Sequence, residues 1–103
     1  MSIKKQFLKS KPVCKVVFRL DATEANGAKK VQVLGDFNNW DQAAEPLTQL
    51  KSNDFSTTLE LESGKEYQFR YLIDGSSWKN DSEADRFVAN EFGTENCVIS
   101  TQA

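Results

Sequence analysis

The stretch DFSTTLELESGKEYQFRYLIDG, residues 54–75, carries two consecutive alternating runs. In the first, Phe55, Thr57, Leu59 and Leu61 point one way, and Ser56, Thr58, Glu60 and Glu62 the other. In the second, Tyr67, Phe69, Tyr71 and Ile73 form an apolar face, with Gln68, Arg70 and Leu72 opposite. A period of two marks a half-buried strand, because successive side chains leave opposite faces of the pleat. Ser63-Gly64-Lys65 between the runs reads as a hairpin turn, and Asp74-Gly75 after them as a tight turn.

The same pattern continues on either side. VCKVVFRL (13–20) puts Cys14, Val16, Phe18 and Leu20 on one face. KVQVLG (30–35) sets Val31 and Val33 against Gln32 and Leu34. EPLTQL reads as a short edge strand, the one place where Pro46 is tolerated. SSWK, RFVAN and NCVIST read as further short strands. DATEANGAK, NDSEAD and NEFGTEN read as loops, the last with Phe92 exposed, and no stretch predicts a helix. About seven strands at roughly eight-to-twelve-residue spacing predict an all-β fold, an immunoglobulin-like antiparallel β-sandwich. Residues 1–10 are expected to be a flexible N-terminal segment, with residues 11–103 a single sandwich domain.

Composition narrows the function. With 103 residues, 39% hydrophobic and 27% charged, the chain is globular rather than disordered. A net charge of -2 and a pI near 5.1 argue against a nucleic-acid partner, and Lys4, Lys5, Lys9 and Lys11 read as a solvated end. No histidine is present, which removes the usual neutral-pH base and the Ser-His and Cys-His nucleophile pairs. Cys14 and Cys97 lie in apolar runs far apart in sequence, so buried free thiols are expected and metal binding is not. The start MSIKKQFLKSKP shows no apolar leader core, and no run is long enough for a membrane span. A cytoplasmic protein with no membrane partner is the expectation.

Asp36, Asp41, Asp74, Asp81 and Asp85 all fall at turns, where aspartate is favoured for its bonds to nearby backbone, so no catalytic carboxylate pair is expected. Asp81, Glu83 and Asp85 alternate like calcium ligands but lack the glycine and terminal glutamate of the helix-loop-helix site. No glycine-rich phosphate loop follows a strand. What remains is a set of rings in polar turns: Trp40 after Asn38-Asn39, Trp78 after Asp74-Gly75-Ser76-Ser77, and Phe92 between Glu91 and Gly93. Each tryptophan alone fits a loop staple. Three such rings, with Arg70, Thr94 and Asn96 as polar partners, fit a sugar platform. There rings stack on the C–H faces of pyranoses while polar groups bind the hydroxyl rim.

VQVLGDFNNWDQAAEPLTQL, YQFRYLIDGSSW and FGTENCVI together resemble the family 48 carbohydrate-binding modules. That family includes the glycogen-binding domain of the AMP-activated protein kinase beta subunit and the N-terminal domains of isoamylases and branching enzymes. The resemblance covers about Val13 to Ser100 and implies an early-set immunoglobulin-like sandwich without cofactor. It implies non-catalytic binding of α-1,4-glucans through Trp40, Arg70, Trp78, Phe92, Thr94 and Asn96. The alternative it leaves is a regulatory module that docks on a glycan-metabolising enzyme in trans, with a vestigial sugar site. Two positions depart in type: Arg70 stands where the kinase-subunit domains have lysine, and Phe92 where they have leucine. Ser76 and Ser77 make two residues before Trp78 where those domains have one, which leaves open the face that Trp78 occupies.

Overall fold

A computed structural model describes residues 3–102. The strands are β1 (Ile3–Phe7), β2 (Val13–Leu20), β3 (Val31–Gly35), β4 (Thr48–Gln49), β5 (Phe55–Glu62), β6 (Glu66–Ile73), β7 (Ser77–Lys79), β8 (Arg86–Ala89) and β9 (Glu95–Ser100). One sheet has the order β1-β2-β5-β4 and the other β3-β6-β9-β8, with β7 also on β6; all pairings are antiparallel. The fold is an all-β sandwich of the early-set immunoglobulin-like kind. A single turn of helix, α1 (Ala22–Ala25), sits in the loop after β2, where no helix is expected from the sequence. Asp21 caps it through Oδ1, which accepts from the Glu24 N–H at 2.8 Å, and left-handed Asn26 ends it. No helix among the described residues is long and apolar enough to cross a membrane.

The core forms where the alternating faces meet. Cys14, Val16, Phe18 and Leu20 of β2 lie beside Leu61, Leu59, Thr57 and Phe55 of β5. Phe69 and Tyr71 of β6 face them from the other sheet, and the Phe18 and Phe69 rings meet edge-on at 5.1 Å. Cys14 and Cys97 are buried free thiols, and burial pushes the Cys97 thiol up to about 11. Behind β6, the Tyr71 hydroxyl donates to buried Asp81 Oδ2 at 2.8 Å, and the Asp81 N–H donates to Cys97 Sγ at 3.1 Å. Burial and the Asp81 carboxylate raise the Tyr71 phenol above its ordinary value. Asp81 and Asp85 thus have structural partners, Asp85 Oδ2 taking Lys5 Nζ and the Ser100 N–H.

Two further features differ from the sequence reading. Ser63-Gly64-Lys65 is not a hairpin: β5 and β6 belong to different sheets, and the turn carries the chain across the sandwich. Alternation cannot separate the two cases, because strands facing each other across a core also present apolar faces to one another. The crossing is anchored from outside, by Ser63 N–H to the Pro12 carbonyl and Gly64 N–H to the Thr101 carbonyl. Secondly, residues 3–7, expected to lie in a flexible end, pair along β2 as an edge strand tied across the open side by Lys5–Asp85. The described residues hold nine strands; β4 lies within the edge strand read from EPLTQL, and β1 is the addition.

Strand β6 also forks. Its first half, Glu66–Phe69, pairs with β9, and its second half, Tyr71–Ile73, pairs with β7. Arg70 stands at the changeover. On the face away from the core, β6 shows Gln68, Arg70 and Leu72, as its alternation predicts. Leu34, Leu72 and Val98 are buried there, and Gln32 Nε2 donates to the Gln42 and Ala44 carbonyls at 2.8 and 2.7 Å.

At the end of β3, Gly35 lies against β6. Its backbone is extended (φ -171°), so any residue could adopt it. Space decides instead. A β-carbon there would strike the Gln68 carbonyl, and would sit 2.8 Å from Phe69 Cβ and 2.9 Å from Phe37 Cε2. Gly35→Ala is expected to cost about 2–3 kcal/mol, seen as a lower urea midpoint at unchanged slope; an unchanged midpoint would show that β3 can move away. Asp54 offers a pH test. Its Oδ2 accepts from Arg19 Nε and Nη2 at 3.1 and 2.5 Å, and its Oδ1 from the Ala22 N–H at 2.7 Å. The Arg19 guanidinium, then the Ala22 N–H, hold this carboxyl below its ordinary value. Stability from a depressed carboxyl is present above the unfolded pKa and is lost as pH falls through the folded one. Asp54→Asn should therefore flatten the fall in Tm between about pH 5 and pH 3; an acid limb identical to that of the unaltered protein would refute this.

Candidate functional site

The site begins at the end of β3. Residues Asp36–Asn38 form a 3-10 turn, and Asn39 and Trp40 follow with φ of 57° and 56°. Two successive non-glycine residues in the left-handed region are costly. The local bonds hold them: the Trp40 N–H donates to the Gly35 carbonyl at 3.0 Å, Asn38 Oδ1 accepts from the Gly35 N–H, and Asn38 Nδ2 donates to the Val33 carbonyl. The Asp36 carboxylate then aims the ring. Its Oδ1 accepts from Trp40 Nε1 at 3.1 Å and its Oδ2 from the Gln68 N–H at 2.8 Å, so the indole is tied to β6.

Trp78 arrives from the other direction. Its partner across the β6–β7 ladder is Leu72, which puts it on the same face as Arg70. Left-handed Asp74 and Gly75 (φ 51° and 73°) and the Ser76 N–H bond to Ile73 close the turn, so the additional serine is taken up before β7 starts. Asp74 is itself fixed, its Oδ1 accepting from the Lys29 and Lys30 N–H groups. The Trp40 and Trp78 ring centroids lie 6.4 Å apart with planes inclined by 58°. The Arg70 guanidinium carbon lies 5.8 Å from the Trp78 ring centroid.

One hydrogen-bonded chain joins the polar groups. Arg70 Nε donates to Asn80 Oδ1 at 2.7 Å, while Asn80 Nδ2 donates to the Glu95 carbonyl at 2.9 Å. Arg70 Nη1 reaches Thr94 Oγ1 at 3.4 Å. Asn96 Nδ2 donates to Gln68 Oε1 at 3.1 Å. Among the described residues Arg70 forms no ion pair; it bonds to neutral side chains and lies near an aromatic ring.

All six residues named from the sequence, Trp40, Arg70, Trp78, Phe92, Thr94 and Asn96, line a single cavity of about 800 Å³. Phe92 is 82% exposed at its rim and Trp78 40% exposed. The lining also includes Gln42, Gln68, Asn90 and Glu91, none of which was named from the sequence. Gln68 was within reach, since it is two residues before Arg70 on one strand and shares its face. Gln42, Asn90 and Glu91 come from loops, and no pattern in the chain brings those loops together. The lining offers ring faces, amides, a hydroxyl, a guanidinium and a carboxylate, which is the chemistry of recognising a ring-shaped polyhydroxy compound. Among the described residues no group of histidine, cysteine, aspartate and glutamate is arranged to hold a metal ion.

The comparisons with known proteins bear on this surface. A family model described as the glycogen recognition site of AMP-activated protein kinase matches residues 19–103. The beta-1 subunit of 5'-AMP-activated protein kinase from Rattus norvegicus is 36% identical over 76 residues, covering 74% of this chain and 26% of that protein. The beta-2 subunit from Homo sapiens is likewise 36% identical over 76 residues, covering 73% and 26%. The chain thus spans about a quarter of the length of the curated relatives it matches. With most of the chain, and every residue of the cavity, inside the matched segment, the chain belongs to the family of glycogen-recognition domains of AMP-activated protein kinase.

Proposed function

We propose that this domain is a non-catalytic binder of α-1,4-glucans, with Trp40 and Trp78 as stacking platforms. The observation that carries the reading is the meeting of two indoles, inclined by 58°, in one cavity whose lining also holds Arg70, Thr94 and Asn96. Successive sugars of an α-1,4-glucan turn relative to one another, whereas a β-1,4-glucan is a flat ribbon. Inclined rings suit the curved chain, each taking the C–H face of a different unit. Stiff rings with two rotatable bonds lose little entropy in such a contact.

The hydroxyl rim falls to the polar groups. Arg70 has Nη N–H groups beyond those used inside the protein, and Asn96 Nδ2 keeps one N–H after its bond to Gln68. These donors are held before a ligand arrives, so binding spends little on ordering them. Phe92 adds an apolar edge from the 90–94 loop. Arginine in place of lysine brings a planar fork that can bond two neighbouring hydroxyls.

Titration with maltoheptaose, followed by intrinsic tryptophan fluorescence and calorimetry, is expected to show saturable binding, and cellohexaose none. Trp40→Ala should weaken binding by about 30-fold, near 2 kcal/mol, with the urea midpoint little changed. Absence of binding to any α-glucan at millimolar concentration, or wild-type affinity in Trp40→Ala, would overturn the reading.

A further inference from the structure

Asn90 lines the cavity, yet its side chain has nothing left for a ligand. An asparagine amide offers two N–H donors and one carbonyl oxygen with two lone pairs. Both donors are taken: Nδ2 gives to Thr94 Oγ1 at 2.8 Å and to Asn96 Oδ1 at 3.0 Å. The carbonyl oxygen is fully taken too, by the N–H groups of Phe92 at 3.0 Å and Thr94 at 3.1 Å and by the Thr94 hydroxyl at 3.1 Å. Its own N–H closes the loop on the Thr94 carbonyl at 3.0 Å.

We propose that Asn90 is the positioning residue of the glucan site, acting through Phe92, Thr94 and Asn96 without touching the sugar. The inference rests on the glucan-binding reading above. It has two separable parts. The carbonyl oxygen shapes the loop that holds Phe92 at the rim, since it gathers two backbone N–H groups of that loop. The amide nitrogen sets the polarity of the neighbours. Because it donates to Asn96 Oδ1, the Asn96 amide cannot turn over without opposing one NH₂ to another, so Asn96 presents a donor toward the cavity. Thr94 Oγ1 accepts from this nitrogen and from Arg70 Nη1, and its own O–H donates back to Asn90 Oδ1 at 3.1 Å, so both ends of the Asn90 amide hold that hydroxyl.

Two variants separate the parts. Asn90→Asp keeps the shape and the acceptors for the Phe92 and Thr94 N–H groups but cannot donate. Asn90→Ala removes both functions. Amide hydrogen exchange of Phe92 and Thr94, which needs no sugar, should stay protected in Asn90→Asp and lose protection by at least about tenfold in Asn90→Ala. Maltoheptaose affinity should fall by about tenfold in Asn90→Asp at an unchanged urea midpoint. It should fall further in Asn90→Ala. A double-mutant cycle of Asn90→Asp with Thr94→Val, read in maltoheptaose affinity while the Phe92 and Thr94 amides stay protected, should be non-additive; a role confined to loop shape leaves affinity unmoved when that protection is kept. Retained amide protection in Asn90→Ala overturns the loop-holding part. Wild-type affinity or full additivity in Asn90→Asp overturns the orienting part. If the unaltered protein binds no α-glucan, the glucan reading fails and with it the orienting part. The exchange data then decide the loop-holding part alone.

Discussion

The close approach of β3 to β6 at Gly35 is the constraint on which the site depends. With no β-carbon, the backbone can lie against the Gln68 carbonyl and Phe69. Only then does the next residue, Asp36, come within reach of the Gln68 N–H. The same carboxylate holds the Trp40 indole. A steric allowance of one methyl group is thereby converted into the orientation of a ring several residues later. On the inner side Phe37 uses the same turn to meet Phe18 and Tyr67, so one hexapeptide closes the core and aims the surface.

The remaining site residues are held by bonds rather than by burial. Arg70 leans on Trp78 and is gripped by Asn80, and Asn96 is held between Gln68 and Asn90. Exposed side chains of this length ordinarily sample many rotamers, and ordering each costs on the order of 1 kcal/mol. Here folding has already met that cost, leaving more of any contact energy to appear as affinity. The use of nearly every internal donor and acceptor fits the lack of an unpartnered buried side-chain nitrogen or oxygen among the described residues.

Much of this was legible in the chain because sheets have a strict period. Arg70 could be placed opposite Phe69 and Tyr71 by counting, and the register bears that out. Trp40, Trp78 and Phe92 stood out because large rings in polar turns lack a core to enter. The failures have physical causes as well. Strand β1 reads as Ile-Lys-Lys-Gln-Phe because an edge strand has one side in water and tolerates lysine, so no alternation announces it. The crossing at Ser63–Lys65 was hidden because apolar faces look alike whether strands are neighbours or opposed. Asn90 escaped because its role exists only once the 90–94 loop has closed on it. The face of Trp78, open in the sequence, is decided by its ladder partner Leu72.

The fork in β6 carries an evolutionary consequence. The two walls of the cavity rest on different ladders. Trp78 hangs on the three residue pairs that join β7 to β6, while Asn96 and the loop before it belong to β9 and its separate pairing. Length added between Asp74 and Ser77 is absorbed ahead of the first pair, and the β9 side does not register it. One wall can be respaced by insertion while the other keeps its alignment. Such a surface can be reshaped one wall at a time, without renegotiating the fold beneath.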